Sequence, residues 1–456
     1  MARPRPSVLP EAIRLDGRKL EGGGQLVRIA VALSALTGQA ITIDHIRGNR
    51  SGKQGLKASH LAAIQTLGEL SGSSLVKAQV GSCSLGFHPP REQEHPRQTD
   101  SDINIRLPTP GSVFLVFQAL YPYLLHSASA ERIFLSIVGG TNVSSSPSYD
   151  YVAQVLIPNF ARVGLPPIDV RLEKRGWSSG PANLGLGKVV FAIDTLRRGS
   201  GGAPSHEVPS IDLRKYRRGT ISQIDITILA PDDRLEGAEE PQRARQSKHN
   251  EIDGDELDKP ETVREYMERQ VHRKLRKRLK ELPRSIFSDS SSADPDDAKS
   301  HVVSIKTHTT ESTHRRSCMY LLIVGHTSTG FKIGRDALYG SLGDGPKPKK
   351  PKKGQNRPNE DTAARVNKLV DQCVENFAQE LYDPELQVEQ HEKAQHQPCV
   401  DEYMRDQLVV FEALGKVARS EGEQERASRE DERYWSLHTK TAQWVCQQML
   451  GEDCIT

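Results

Sequence analysis

The 456-residue sequence lacks any apolar run of the roughly 18 residues that a membrane helix requires, so we expect no membrane span. Its first residues, MARPRPSVLPEAI, also lack the apolar core of a signal peptide, and none is expected there. The 6 cysteines lie far apart and form no CxxC pair. This cysteine usage favours a reducing compartment and argues against a zinc site.

Hydrophobic residues are also scarce. They make up 36% of the chain, and adding the 36 glycines still leaves the share slightly below the globular average. The chain is nevertheless too long for one compact core of ordinary size. We therefore predict a globular body diluted by polar inserts, with two or more domains or one domain that carries large insertions.

The formal net charge of +3 is informative only through its distribution. Residues 231–260 are mostly acidic and polar, whereas residues 264–280 are strongly basic and contact either an RNA backbone or only solvent. Residues 347–353 read KPKKPKK, which is too stiff and charged to fold and resembles a nuclear import signal. The run predicts a location in the nucleus (nucleoplasm). A solvated linker stays open as the alternative.

A pair of helices recurs three times in the apolar pattern. Glycines follow the second helix of each pair and suit the left-handed backbone of a helix end: Gly72, Gly164 and Gly451. The predicted helices are 25–36 with 57–72, 110–125 with 149–164, and 402–417 with 437–451. Strands are predicted at 41–46, 84–89, 132–138, 168–176 and 188–194. The pattern predicts an α/β (α+β) fold built from three copies of a helix-pair-plus-sheet unit.

About 200 residues separate the second copy from the third. Strands predicted at 219–229, 301–309 and 317–327, with helices at 262–282 and 363–381, are enough for a separate small α/β domain. The predicted organisation is therefore a flexible arm (1–12), repeats 1 and 2 (13–200), an inserted α/β domain (210–395) and repeat 3 (398–456). Two polar tracts, near 231–260 and 344–361, are predicted to be disordered within the insertion.

The segment EGGGQ at 21–25 precedes the first predicted helix. Glycines let the backbone approach an anion closely, and a helix start supplies free N–H groups and the positive end of the dipole. Glu21 in such a turn could hold a metal ion, and Arg28 would point near the same place. The next loop, 46–57, adds four cations suited to phosphate binding. They are Arg47, Arg50, Lys53 and Lys57. A plain tight turn and a solvated loop are the alternatives.

His438 begins the last predicted helix, in YWSLHTKTAQWV. A neutral imidazole attacks phosphorus well, so His438 is a candidate nucleophile toward a phosphoryl group. The residues alone leave open a half-exposed histidine without a special role. Asp150, in the glycine- and serine-rich turn 139–151, could equally be a helix cap and nothing more.

Six segments together resemble the RNA 3′-terminal phosphate cyclases, in the same order and over nearly the whole chain. They are LDGRKLEGGGQLVR, IRGNRSGKQGL, PGSVFLVFQALYP, GGTNVSSSPSYDY, EYMRDQL and SLHTKTAQWV. The polar insertions suggest a fungal-like or other eukaryotic member. The resemblance implies three units of two helices on a four-stranded sheet, plus a smaller inserted α/β domain.

The same resemblance implies a ligase-class enzyme that moves AMP from ATP onto a histidine and releases pyrophosphate. AMP then passes to an RNA 3′-phosphate, and the neighbouring 2′-hydroxyl closes a 2′,3′-cyclic phosphate. A divalent metal, Mg²⁺ or Mn²⁺, is implied as well. The implied partner is RNA with a 3′-phosphate end, and the oligomeric state stays unknown.

The motifs carry individual roles over to this chain as implied by the resemblance. His438 would carry AMP, and Glu21 matches a metal- and phosphate-site position. Arg28, Arg47 and Arg50 match phosphate-binding arginines. The implied nucleotide-binding residues are Gln118, Pro147, Tyr403, Asp406 and Gln407. A tyrosine and a proline can sandwich an adenine ring, and Asp406 can accept hydrogen bonds from ribose or base.

The chain departs from the family pattern at three places. Ser59 stands before His60 where members often have glutamine, the loop 175–187 replaces a tighter triple-glycine turn, and residues 419–433 are strongly charged where a strand is usual. The main alternative is the non-catalytic relative that acts in small-subunit ribosomal RNA maturation. A fold relative that transfers enolpyruvyl groups is a third class, against which EYMRDQL argues.

Overall fold

A computed structural model describes residues 12–50, 52–90, 101–127, 131–178, 185–196, 208–235, 261–288, 303–340, 361–383, 398–417 and 435–454. Several sequence predictions lie outside these residues. They are most of the arm 1–12, most of the polar tracts 231–260 and 344–361, the basic run 347–353 and the charged segment 419–433. Within the described ranges, no helix combines the length and apolar character that a membrane crossing needs.

The chain divides into two compact units. The larger unit comprises Met1–Trp177, Gly185–Arg217 and His396–Thr456, and the smaller unit comprises Ser178–Leu184 and Arg218–Gln395. The functional residues predicted from the sequence all belong to the larger unit.

The first part of the larger unit is a four-stranded sheet with two helices. Its elements are β1 (Ile13–Asp16), α1 (Gln25–Thr37), β2 (Ile41–Asp44), α2 (Ala58–Ser71), β3 (Ser74–Val76) and β4 (Leu85–His88). The strand order is β1-β2-β4-β3, with β1 parallel to β2 and the other neighbours antiparallel. α2 ends at Gly72, whose φ of 70° is the left-handed conformation predicted for it.

The second part repeats this arrangement. Its elements are β5 (Asp102–Arg106), α3 (Val113–Leu125), β6 (Arg132–Gly139), β7 (Asn142–Val143), α4 (Tyr149–Tyr151), α5 (Ile157–Arg162), β8 (Ile168–Lys174), β9 (Trp177–Ser178) and β10 (Gly187–Asp194). A π-helical turn, Val152–Leu156, joins α4 to α5. The sheet order is β5-β6-β10-β8, and the alternating residues of β10 bury Val189, Phe191 and Ile193.

The C-terminal part contains two helices, α8 (Glu402–Val417) and α9 (Leu437–Leu450). No strand accompanies them among the residues that the structure describes. The mixed α+β fold is thus confirmed, whereas the prediction of three complete helix-pair-plus-sheet units is not. α1 is apolar and buried almost all round, and it packs against α2, α3 and α9. The beginning of α1 therefore lies where helices from three parts of the chain meet.

The smaller unit is a four-stranded sheet with two helices on one face. Its elements are β11 (Ile221–Pro231), α6 (Val263–Leu279), β12 (Ser304–Thr313), β13 (Tyr320–Thr327), β14 (Lys332–Leu338) and α7 (Thr362–Leu381). The strand order is β12-β11-β13-β14. Its core is formed by alternate residues of the strands, such as Ile226 and Ile323, against Val271 of α6 and Phe377 of α7.

Candidate active site

The loop before α1 is tightly folded, and its glycines lie against side chains of the same site. Gly22 has a φ of +61°, and a Cβ atom on Gly23 would lie 2.0 Å from Oε1 of Glu21. A Cβ on Gly24 would lie 2.4 Å from Nε2 of His60. Gly24 is also the N-cap of α1 and offers no side chain, so the first N–H groups of the helix stay available to an anion.

His438 lies in the first turn of α9, which Ser436 caps by accepting a 3.1 Å hydrogen bond from the backbone N–H of Thr439. The glycine-rich loop is attached to this turn. The backbone N–H of Glu21 donates to Oγ1 of Thr441 over 3.1 Å, and that hydroxyl donates to the carbonyl of Leu437. These hydrogen bonds hold the first turn of α9, and with it His438, against the glycine-rich loop, although the two segments lie near opposite ends of the sequence.

A hydrogen-bonded chain fixes the proton of the His438 ring. The Gln25 amide donates through Nε2 to Oδ2 of Asp406 over 3.0 Å, and Gln407 donates to Oδ1 over 2.6 Å. The oxygen of the Gln25 amide therefore faces His438, whose Nδ1 lies 2.8 Å away. Because an amide oxygen only accepts, Nδ1 carries the proton and Nε2 keeps its lone pair.

The protonation states support this tautomer. Partial burial lowers the pKa of His438, and the charges of Arg28 and Arg50 lower it further against the opposing effect of Asp406. The ring is therefore neutral near pH 7. Burial raises the pKa of Asp406, while hydrogen bonds from the two glutamine amides and the charge of Arg28 favour its ionised form.

Cations outnumber carboxylates around the loop. Burial lowers the pKa of Arg28 to about 10 and also lowers the pKa of Arg47. Burial, with repulsion from Arg47, Arg50 and Arg28, lowers the pKa of Lys57. Four cationic side chains thus face one another across a small region, with Glu21 and Asp406 as the opposing carboxylates. This excess suits a polyanionic ligand such as a triphosphate.

His60 adds a neutral hydrogen-bond donor beside these cations. Its Nδ1 accepts from the backbone N–H of Lys57 over 3.3 Å, so that Nε2 carries the proton and points toward Gly24. Burial and the nearby positive charges lower the pKa of His60 to about 3. The ring therefore stays neutral at all physiological pH values.

Glu21 is the predicted metal residue, and its two carboxylate oxygens differ. Oε1 forms an ion pair with Arg50 and lies 3.9 Å from Nδ1 of His438. Oε2 is buried without a hydrogen-bond partner. The described ranges contain no cluster of three histidine, cysteine, aspartate or glutamate side chains that could hold a metal by themselves. Glu21 could thus supply one ligand, through Oε2, to a cation that also binds phosphate oxygens.

A narrow cleft lies beside Asp406. Four of the predicted nucleotide-binding residues line it: Gln118, Pro147, Asp406 and Gln407. Gln118 accepts a 2.8 Å hydrogen bond from Nε of Arg28, so the cationic side chains and the cleft are directly connected. The cleft walls are mostly apolar and aromatic.

Tyr403 lies apart from the residues that line this cleft in the described structure. Its side chain is 42% exposed and contacts Tyr151 edge-on, with ring centroids 6.0 Å apart. Asp401, just before Tyr403, accepts hydrogen bonds from the Tyr151 hydroxyl and from the backbone N–H of Met404. Asp401 therefore fixes the start of α8 and, with it, the positions of Tyr403 and Asp406.

The structure brings His438, Glu21, Arg28, Arg50 and Asp406 together. Arg47 is close to Lys57 and His60, and it donates to the carbonyl of Lys53 over 2.5 Å. Three further residues of the site, Gln25, Thr441 and Asp401, were not predicted from the sequence. Only Gln25 carried a usable signal, since it stands in the glycine-rich motif itself. Asp150 forms a bidentate ion pair with Arg175 rather than a helix cap.

A histidine with an unprotonated ring nitrogen, an excess of cations and an apolar cleft are together typical of an enzyme that handles nucleotides. A profile of the RNA 3′-terminal phosphate cyclases matches residues 19–454. The chain therefore belongs to the RNA 3′-terminal phosphate cyclase family.

Individual relatives agree with this assignment. The chain is similar to the RNA 3′-terminal phosphate cyclase of Methylococcus capsulatus, with 34% identity over 222 residues, which cover 48% of this chain and 56% of the relative. The protein of the same name from Desulfurococcus amylolyticus is 35% identical over 193 residues, covering 41% and 51%. That from Thermococcus onnurineus is 38% identical over 177 residues, covering 39% and 48%. The chain thus spans about half the length of the curated relatives it matches.

Proposed function

We propose that this protein is an ATP-dependent RNA 3′-terminal phosphate cyclase of the ligase class. It converts an RNA 3′-terminal phosphate into a 2′,3′-cyclic phosphate and releases AMP and pyrophosphate. The observation that carries the proposal is the chain Asp406–Gln25–His438, which leaves Nε2 of His438 unprotonated beside a cationic loop.

In the first step the lone pair of His438 Nε2 attacks the α-phosphorus of ATP. An N–P bond forms, the bond from that phosphorus to the bridging oxygen breaks, and pyrophosphate leaves with the electron pair. Nδ1 keeps its proton, and its N–H stays hydrogen-bonded to Oε1 of Gln25. The positive charge that develops on the ring is then held close to the Asp406 carboxylate.

In the second step an oxygen of the RNA 3′-phosphate attacks the same phosphorus. The N–P bond breaks, His438 regains its lone pair, and a phosphoanhydride joins the RNA end to AMP. The 2′-hydroxyl oxygen then attacks the RNA phosphorus and AMP leaves. The hydroxyl proton passes to water or to the departing AMP. Both attacks occur on phosphates that Arg28, Arg47 and Arg50 can hold and orient.

The remaining predicted residues bind the nucleotide. Pro147 and the exposed ring of Tyr403 hold adenine between them, and Asp406 accepts hydrogen bonds from the nucleoside. Gln118 and Gln407 contribute amide groups at the cleft wall. The unpartnered Oε2 atom of Glu21 fits a divalent cation, Mg²⁺ or Mn²⁺, which would neutralise phosphate charge when bound.

A cyclisation assay tests the proposal. An RNA oligonucleotide labelled in its 3′-terminal phosphate is incubated with protein, ATP and Mg²⁺ or Mn²⁺, and the label is then challenged with a phosphomonoesterase. The proposal predicts an ATP-dependent gain of resistance, with one AMP and one pyrophosphate released for each cyclic end. Absence of ATP-dependent resistance would contradict it. If that result came with tight binding of ribosomal RNA, it would favour the non-catalytic alternative.

We also propose that the protein acts in the nucleus, on the basis of the run KPKKPKK at 347–353. Deleting these residues from a fluorescently tagged chain should move the signal out of the nucleus. A matched variant that deletes 354–360 should leave the location unchanged. Equal nuclear signal in both variants would remove the motif from consideration.

A further inference from the structure

α6 in the smaller unit carries cations of two kinds. On its buried face, Val263, Met267, Val271 and Leu275 pack into the core against the sheet and α7. Two cations on the flank are used for packing the helices together. Nζ of Lys274 lies 2.6 Å from Oδ1 of Asp371, and Nε of Arg278 lies 2.9 Å from Oε2 of Glu375.

The second kind forms an outer stripe, which we define as Arg273, Arg276, Lys277 and Lys280. Arg276 and Lys277 lie three and four residues after Arg273, and Lys280 lies four and three residues after them, so the four residues share the face opposite the core. All four are exposed, and none has a carboxylate partner within the residues that the structure describes. Arg273 donates only to the neutral amide oxygen of Gln270, over 2.6 Å.

The folding of the helix accounts for only part of this stripe. Cations in the last turn gain from the macrodipole, which applies to Arg276 and Lys277 and to Lys280 at the C-cap, whereas Arg273 lies before that turn. Like charges three and four residues apart repel one another and cost the helix a few tenths of a kcal/mol per pair. A polyanion that spans about two turns would remove this repulsion.

We infer that the outer stripe of α6 binds the phosphate backbone of the RNA substrate, away from the reacting 3′ end. The inference rests on the proposed function, which supplies RNA as the ligand. Two arginines and two lysines suit phosphates. Contacts to phosphates carry no base information, so we expect the contact to be independent of sequence.

The test replaces the four stripe residues by glutamine (Arg273→Gln, Arg276→Gln, Lys277→Gln and Lys280→Gln), and the matched control carries Lys274→Gln and Arg278→Gln. Binding is measured without ATP, on a 30-nucleotide RNA and on a trinucleotide, each with a 3′-phosphate, over a salt series. The stripe variant should bind the long RNA at least tenfold more weakly at low salt. Its log–log salt slope should fall by up to about 3, at about 0.7 per phosphate contact.

Trinucleotide binding and adenylylation by ATP should not change in the stripe variant, and the control should keep wild-type affinity for the long RNA. An unchanged ratio of long to short RNA affinity, or an equal loss in the control, would overturn the inference. So would tighter binding of an acidic peptide of equal charge, which would identify a protein partner. If the fourfold variant does not fold, Arg276→Gln with Lys277→Gln gives the same comparison with half the slope change.

Because binding is measured without ATP, RNA binding by the outer stripe and the proposed cyclase activity are tested independently. Length-dependent RNA binding without cyclisation would support RNA binding by the outer stripe and contradict the proposed cyclase activity. Cyclisation of long and short RNA with equal KM would support the proposed cyclase activity and contradict RNA binding by the outer stripe.

Discussion

Gln25 and His438 lie 413 residues apart in the sequence and are joined by a hydrogen bond of 2.8 Å between Gln25 Oε1 and His438 Nδ1. The other end of the same amide donates to Asp406. A glutamine at the start of α1 therefore determines which nitrogen of a histidine on α9 carries a proton. In the proposed mechanism Gln25 is a positioning residue, since it holds the proposed nucleophile and has no contact with the phosphorus that would be attacked.

Replacing Gln25 by alanine should lower the rate of protein adenylylation by on the order of 10²-fold, because the His438 ring loses both its orientation and its tautomer. The loss should fall on the rate constant, with little change in the KM for ATP, since Gln25 does not line the cleft. Rapid-quench measurements with labelled ATP separate the two quantities. Gln79→Ala, on the exposed surface of the same unit, is the control. A change confined to KM would contradict the role given to Gln25.

The rate of adenylylation should depend on pH through His438. Its pKa is lowered below the usual value of 6.5, and only the neutral ring is a nucleophile. The rate should therefore stay high as the pH falls to 6.5 and decline only below it. Single-turnover rates between pH 4.5 and 8 give the midpoint. An acidic limb centred above 6.5 would show that the ring is not desolvated in the way described.

Glu21→Gln should weaken the dependence on the divalent cation. The amide keeps the size of the carboxylate but removes the charge that Oε2 would offer to a metal. We expect half-maximal adenylylation at a Mg²⁺ or Mn²⁺ concentration about tenfold higher, with residual activity when the metal saturates. Asp44→Asn, which changes another carboxylate of the same unit, should leave the metal titration unchanged. Equal metal titrations for Glu21→Gln and the wild type would exclude Glu21 as a ligand.

His60 should make the folded state sensitive to acid. Its pKa is about 3 in the folded protein and about 6.5 when unfolded, so the unfolded state binds the extra proton between these values. The free energy of unfolding should therefore fall as the pH drops through this window, by at most about 1.4 kcal/mol per pH unit for this group. His60→Gln should reduce that slope in urea titrations at pH 5 and 7, and the exposed His45→Gln should not. Equal slopes for His60→Gln and the wild type would mean that folding does not lower the pKa of His60.

Much of the fold could be predicted from the sequence because its helices are strongly periodic. Helix α8 has the predicted bounds, and α1, α2 and α7 differ from the prediction by one residue at one or both ends. Short or polar strands were missed: β1, β3, β5, β7, β9 and β14. Each has few residues or an interrupted apolar pattern, and β1 and β5 also gain their pairing from strands that lie beyond an intervening helix, which no local pattern reveals.

The site was predictable where a motif carries its chemistry within a few residues. Arg28 and Glu21 fall in one glycine-rich segment, and His438 at a helix start stands out by residue type. The tautomer of His438 could not be predicted, since it depends on the orientation of an amide between two helices. The same is true of Thr441, an ordinary helical threonine in sequence that accepts the Glu21 N–H only in the folded chain.

Formation of a covalent adduct with ATP tests the central claim most directly. Purified protein is incubated with ATP labelled in its α-phosphate and Mg²⁺ or Mn²⁺, then denatured and analysed for bound label. The wild type should carry an acid-labile, alkali-stable AMP adduct that His438→Ala abolishes, while His326→Ala, in the smaller unit, retains it. An adduct of equal intensity in His438→Ala, or one that is stable to acid, would contradict the assignment of His438 as the nucleophile.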